Sequence, residues 1–137
     1  MTKKVLVTGG AGYIGSHTIV ELSKSGYKPV ILDDFRNSDE SVLVGLRGII
    51  GRDIELLKCD VSNTAFIQSY LRKEAVCGII HFAANKAVGE SVEKPLLYYQ
   101  NNVEGLVSIL KAASEEQNIP FVFSSSCTVY GEPEGQK

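Results

Sequence analysis

The sequence predicts an α/β domain built on a parallel sheet, doubly wound, with helices on both faces. Short apolar runs rich in β-branched residues recur along it, stretches with helical spacing lie between them, and a glycine-rich turn joins the first run to the first helix. The runs are nearly continuous rather than alternating, as strands covered on both faces must be. Strand, helix and strand in repetition imply right-handed crossovers, and such sheets bind ligands beyond the carboxyl ends of their strands, where strand order reverses.

The runs come in order as "KKVLVTG" at the start, "KPVILDD", "IELLKCD", "CGIIHFAA" and "IPFVFSSS". After the first, Ile14, Thr18 and Leu22 stack on one helical face, and Gly26 supplies a left-handed stop. Phe66, Ile67, Tyr70 and Leu71 form a second short amphipathic face. Pro95 opens a longer helix that carries Tyr99, Val103, Leu106, Val107 and Leu110. Residues 38–51 show no clear period.

A length of 137 residues suits one domain with one core. Fourteen basic against sixteen acidic residues, with no basic stripe, argue against a nucleic-acid partner. No apolar run approaches the ~18 to 20 residues that cross a bilayer and no leader opens the chain, so no membrane partner and a cytoplasmic location are expected. Cys59, Cys77 and Cys127 are odd in number and widely spaced, which reads as three reduced thiols. His17 and His81 are the only imidazoles and no ligand pair has helical spacing, so no metal is expected.

"VTGGAGYIG" places Gly9, Gly12 and Gly15 between the first strand and the first helix. Glycines there allow a sharp turn, close approach of backbone to a pyrophosphate, and tight packing of helix on strand. A diphosphate would rest on backbone N–H groups at the positive end of the helix. No Gly-Lys-Ser/Thr follows, which argues against a triphosphate loop. A glycine turn alone also suits any tight connection. Asp33, however, ends the second run 18 residues beyond Gly15, where a carboxylate that holds an adenosine ribose belongs. An acid there repels a 2′-phosphate and favours NAD over NADP; Arg36 is close, but Asp33 and Asp34 outweigh it.

The stretches "TGGAGYIGSH", "HFAANKAVGES", "YYQNN" and "FSSSCTVYG", in this order and spacing, resemble the extended short-chain dehydrogenase/reductases, and among them the UDP-glucose 4-epimerase branch. The resemblance covers essentially all of the chain and under half of a full family member. It implies a Rossmann-like NAD-binding fold, incomplete at the C-terminus, in an isomerase that holds NAD, removes a hydride from C4 of a UDP-hexose and returns it to the opposite face. It also implies a homodimer, paired through helices of which the one starting at Pro95 is the first.

Carried over by position, the resemblance puts Tyr13 and Ile14 at the pyrophosphate and Asp33, Phe35, Asn37 and Ser38 around the adenosine ribose. Asp60 and Val61 match the pair beside the adenine. Phe82, Ala83, Ala84 and Lys86 lead from the fourth strand toward the cofactor, and Asn102 reaches in from the long helix. Ser126 matches the serine that bonds the reacting sugar hydroxyl and helps position the catalytic base. Ala84 and Asn85 stand where many epimerases have glycine and leucine, and Cys127 replaces a common alanine.

Each position has a plainer reading as well. Asp60 could cap the helix that follows "DVSNTAF", and Lys86 could be a solvated surface lysine. His81 reads as a packed core histidine, Tyr98 and Tyr99 as packing residues, and Cys127 as a packed thiol with no base beside it.

In the family the base is a tyrosine with a lysine four residues later, whose charge lowers the phenol's pKa. Here Tyr13, Tyr27, Tyr70, Tyr98, Tyr99 and Tyr130 are followed at that spacing by His17, Ile31, Glu74, Asn102, Val103 and Glu134. Tyr130 is followed by Gly131 and Pro133, where no helix can run. The expectation is an NAD-binding portion cut before the catalytic helix and the UDP-sugar domain, inactive alone, with Lys137 not a natural end and an uncovered fifth strand that invites self-association. A nucleotide-sugar 4,6-dehydratase and a noncatalytic dinucleotide-binding module remain as alternatives.

Overall fold

A computed structural model of the chain describes residues 3–116 and 119–131, with backbone alone for Cys127 and Thr128. The apolar runs form the strands β1 (Lys4–Thr8), β2 (Lys28–Asp33), β3 (Glu55–Lys58), β4 (Val76–His81) and β5 (Phe121–Phe123). All pair in parallel, in the order β3-β2-β1-β4-β5. Strand order therefore runs outward in both directions from β1, and a crevice opens above its carboxyl end. Register sets Thr8 of β1 opposite Leu32 of β2 and His81 of β4.

Helix α1 (Tyr13–Lys24) packs with α2 (Ser41–Ile50) on one face of the sheet. Helix α3 (Thr64–Lys73) packs on the other with α6 (Gly105–Ser114). Between β4 and α6 come α4 (Val88–Glu93), α5 (Pro95–Tyr98) and a π-helical segment (Tyr99–Glu104) that runs directly into α6. Alternation along the strands divides the core. Leu6, Val30, Leu32 and Ile79 join Ile67, Leu71, Ile109 and Ala112, while Val5, Val7 and Ile31 join Ile19 and Leu46. Every residue of β1 is buried, and its centre, Val5, Leu6 and Val7, accordingly reads as continuous rather than alternating apolar sequence. Each such Leu or Ile contributes about 1.5 to 3 kcal/mol of burial.

The helices depart from the predicted faces in instructive ways. On α1 the buried positions are Gly15 and Ile19, with Leu22 partly covered and Ile14 exposed. On α3 Ile67 and Leu71 are buried and Tyr70 is partly so, but Phe66 points outward. Asn63, not Asp60, caps α3 by accepting the Phe66 N–H at 3.2 Å. The unpatterned stretch contains α2, which ends on Gly51 at φ 79°. Gly26 likewise stops the α1 region with φ 80°.

The largest departure is the long helix. Its buried positions are Gly105, Ser108, Ile109 and Ala112, whereas Tyr99, Val103, Val107 and Leu110 are exposed, and of the predicted face only Leu106 packs on the core. The small residues decide this. A Cβ on Gly105 would stand 2.8 Å from Val61 Cγ1, so only glycine lets the helix approach this closely. The π segment also turns the face that follows it, which a constant 3.6-residue period does not anticipate.

Candidate dinucleotide-binding site

Beyond Thr8 the chain turns at Gly9, which adopts φ 64° and lies so close to the β4 exit that a Cβ would sit 2.8 Å from the Ala83 nitrogen. At Gly15 any side chain would overlap the Gly9 carbonyl oxygen and lie 2.8 Å from Gly10 Cα. These two positions explain the spacing, because one admits the turn and the other lets α1 begin directly against it. Gly12 is the N-terminal boundary of α1, with no side chain capping the helix. The N–H groups of Tyr13, Ile14 and Gly15, in the first turn, have no acceptor within the helix. The result is a bare backbone cradle at the positive end of a helix dipole.

Asp33, the last residue of β2, is bound to that turn. Its Oδ2 accepts the Ala11 N–H at 3.0 Å, and its Oδ1 accepts the Phe35 N–H at 2.9 Å and the Ser38 hydroxyl at 3.1 Å. The Gly9 N–H donates to the Leu32 carbonyl at 2.9 Å, which braces the turn from below. A carboxylate has about four lone-pair positions. Three accepted bonds orient Asp33 and leave capacity for a ligand hydroxyl.

One groove of about 590 Å³ is lined by Gly9, Gly12, Tyr13, Ile14, Gly15, Asp33, Asn37, Ser38, Asp60, Val61, Phe82, Ala83, Ala84, Lys86, Asn102 and Ser126. That volume is in the range of small-molecule sites. Of the residues expected at the cofactor, Phe35 alone is not in the lining. It takes φ 63°, and its side chain packs toward the α1–α2 side of the core with Lys58 Nζ 5.5 Å from its ring. The acceptor at Asp33 holds the Phe35 amide in this left-handed bend, which carries the ring under the loop.

Asn102 is in the lining but its amide is already engaged. It accepts the Asn85 N–H at 2.7 Å and donates to the Asn85 carbonyl at 2.9 Å, thereby pinning the loop that follows β4. Its neighbour Asn101, which sequence reasoning missed, accepts from Arg36 Nη1 at 2.7 Å and donates to Asn102 at 2.9 Å. Asn37 donates to Asn85 Oδ1 at 2.8 Å. The loop after β2 is thus tied to the opposite bank at two points. Arg36 was legible as a charge near Asp33 and Asn85 and Asn101 as letters within the motifs, but nothing in the sequence signals that they bond across the groove.

Asp60 accepts the Ser62 N–H at 2.8 Å through Oδ1 and pairs with Arg36 through Oδ2. Burial works to raise its carboxyl, but the Ser62 bonds and the Arg36 charge outweigh it and hold the group below its usual range. His81 is buried and shares a 2.7 Å hydrogen bond between Nδ1 and Thr8 Oγ1. Its ring stacks on Phe123 at 6.0 Å. Burial pushes it down to about 4, so it is neutral at pH 7. It is therefore a core histidine, as expected, that also contributes to the groove wall. Tyr98 bonds Glu90 and the Ala87 N–H, whereas Tyr99 is exposed rather than packed.

Ser124, Ser125 and Ser126 close the far end of the groove. The Ser126 carbonyl accepts the Val129 N–H at 3.3 Å in a 3-10 turn (Cys127–Tyr130) that stops at Gly131, φ 68°. Tyr130 stands on this turn, largely exposed and on no α-helix. Cys59 lines the groove with its thiol pushed up by burial and by the charges of Asp60 and Asp34, and Cys77 is exposed. The Cys127 side chain, Pro133, Glu134 and Lys137 lie outside the described residues. Among the described residues no group of three His, Cys, Asp or Glu is arranged to hold a metal, and no helix is long and apolar enough to cross a membrane. A backbone cradle, an oriented carboxylate beside it and a row of serines across the crevice fit an adenine dinucleotide laid over the sheet edge.

Known proteins with this sequence pattern include the UDP-glucose 4-epimerase of Yersinia pestis, 49% identical over 128 residues that cover 93% of this chain and 38% of that protein. The human UDP-glucose 4-epimerase is 44% identical, over 98% of this chain and 40% of its own length. The chain thus spans about two fifths of the curated relatives it matches. Among solved structures, a UDP-glucose 4-epimerase from Stenotrophomonas maltophila, with bound NAD and formylated UDP-arabinopyranose, superposes with a TM-score of 0.92 at 41% identity. That match covers 97% of this chain and 40% of the other. The enzyme from Bifidobacterium longum, in complex with NAD+ and UDP, gives 0.91 at 39% identity, with 97% and 40% covered. The family model described as GDP-mannose 4,6 dehydratase matches residues 6–137, nearly the entire length, and the chain belongs to that family.

Proposed function

We propose that this chain is the NAD-binding part of an enzyme that interconverts UDP-glucose and UDP-galactose, a UDP-glucose 4-epimerase. The observation that carries the reading is the Asp33 carboxylate bonded at 3.0 Å to the Ala11 amide of the bare turn, so that ribose and pyrophosphate sites share one rim. Identity of 44 to 49% to epimerases from human and bacterial sources supports the choice of substrate. NAD bound there would supply reversible hydride transfer at C4 of the sugar.

The chain's own residues bind and orient. Tyr13, Ile14 and Gly15 offer amides to the pyrophosphate, Asp33 accepts from the ribose, and Asp60 and Val61 flank the adenine. Lys86, in the loop that Asn102 pins, faces the nicotinamide end, and Ser126 takes the sugar hydroxyl. No Tyr-x-x-x-Lys pair occurs in these 137 residues, so the base is supplied by a segment other than these. The exposed Tyr99, Val103, Val107 and Leu110 suit a homodimer paired through this helix. Cytoplasmic work suits three scattered cysteines.

The family description favours one second reading, a nucleotide-sugar 4,6-dehydratase. Incubation of UDP-galactose with a full-length protein built on this chain, without added oxidant, separates the two. UDP-glucose is the expected product; a dehydrated 4-keto-6-deoxy sugar would establish the alternative. The 137 residues alone should convert negligibly, and detectable turnover by them would show that the base has been misplaced.

A further inference from the structure

We infer that Asp34 discriminates between the two dinucleotides by holding Arg36 away from the adenosine 2′ position, so that Arg36 is a withheld phosphate receptor. The inference rests on the dinucleotide reading above and goes beyond it. Charge counting alone assigns the preference for an unphosphorylated ribose to Asp33 and Asp34 outweighing one arginine. The geometry assigns Asp34 a more particular task.

Asp34 grips Arg36 twice. Its Oδ1 accepts the Arg36 backbone N–H at 3.0 Å and its Oδ2 accepts Nε at 2.6 Å. The rest of the guanidinium is taken as well, with Nη1 on Asn101 at 2.7 Å and Nη2 paired to Asp34 and Asp60. Every nitrogen of the fork is thereby directed at a protein acceptor. The side chain nevertheless remains 43% exposed in the groove lining, three residues beyond the carboxylate that marks the ribose. A guanidinium fork matches a phosphate in two-point geometry, so an arginine here, once freed, has the chemistry to take a 2′-phosphate. Asp34 is the partner that holds both its backbone N–H and its Nε, while Asn101 and Asp60 share in holding the two terminal nitrogens.

The test is competition of NAD+ and NADP+ against bound NADH, read by fluorescence on wild type, Asp34→Asn, and the Asp34→Asn/Arg36→Ala double variant. Asp34→Asn should raise the NADP+ to NAD+ affinity ratio about tenfold or more, as a charge-assisted fork contact provides, and the double variant should lose that gain. Asp34→Ser is the second single variant and should behave alike. A ratio changed less than about threefold in both single variants overturns the inference. So does a gain that survives loss of Arg36, because the effect would then be removal of a repelling charge only. Wild type that fails to bind NAD+ overturns the dinucleotide reading itself, which the ratio among binding proteins does not touch.

Discussion

The Asp33 carboxylate accepts from the Ala11 and Phe35 amides and from the Ser38 hydroxyl, which sets its plane before any ligand arrives. Residue chemistry of this kind was partly legible. The spacing from Gly15 to Asp33 identified the acid, but the backbone bend that turns Phe35 under the loop has no letter of its own, because φ 63° at a phenylalanine is imposed by its neighbours. His81 offers a test at this scale. Its folded pKa is about 4 against an unfolded 6.5, so between those values the unfolded chain binds a proton that the folded chain does not. Stability therefore falls as pH drops through that window, by about 2 kcal/mol from pH 7.5 to pH 5. Denaturant midpoints at the two values measure it, with His81→Asn as the comparison. An equal fall in the variant would assign the loss to other groups.

At the level of elements, the long helix shows where pattern reading stops. Tyr99, Val103, Val107 and Leu110 keep a good period and face outward, while the sheet-facing side is small. Two apolar faces on one helix give period analysis no means to choose between them; side-chain size does, since Gly105 leaves no room for a Cβ beside Val61. Gly105→Val should cost about 1 to 3 kcal/mol by overpacking, measured by chemical denaturation. Val107→Ser, on the outward side, should cost under about 0.5 kcal/mol in the monomer. The reverse ranking would mean that the helix packs by its other face. The strands were readable for the opposite reason, because the middle of β1, Val5, Leu6 and Val7, is buried on both faces and leaves no choice of apolar side.

For the whole molecule, five parallel strands with helices on both faces create a crevice above β1, and the turn, Asp33, Asp60 and the β4 loop all meet there. Topology assembles them from positions as distant as Gly9 and Ser126, so the site could be read as separate motifs but its cross-links could not. The ties from Arg36 to Asn101 and from Asn37 to Asn85 join residues 65 and 48 positions apart. At the other end of the sheet Lys4 bonds Glu74 at 2.6 Å and Glu55 at 3.0 Å, linking β1 to β3 and the end of α3. Val122 and Phe123 of β5 are exposed. The most direct measurement is titration of the chain with NADH by fluorescence, alongside Asp33→Ala shown to be folded by circular dichroism. Saturable 1:1 binding, displaced by NAD+ and weakened about a hundredfold or more in the variant, is the expected result. Absence of binding to wild type, or equal binding by folded Asp33→Ala, would contradict the account.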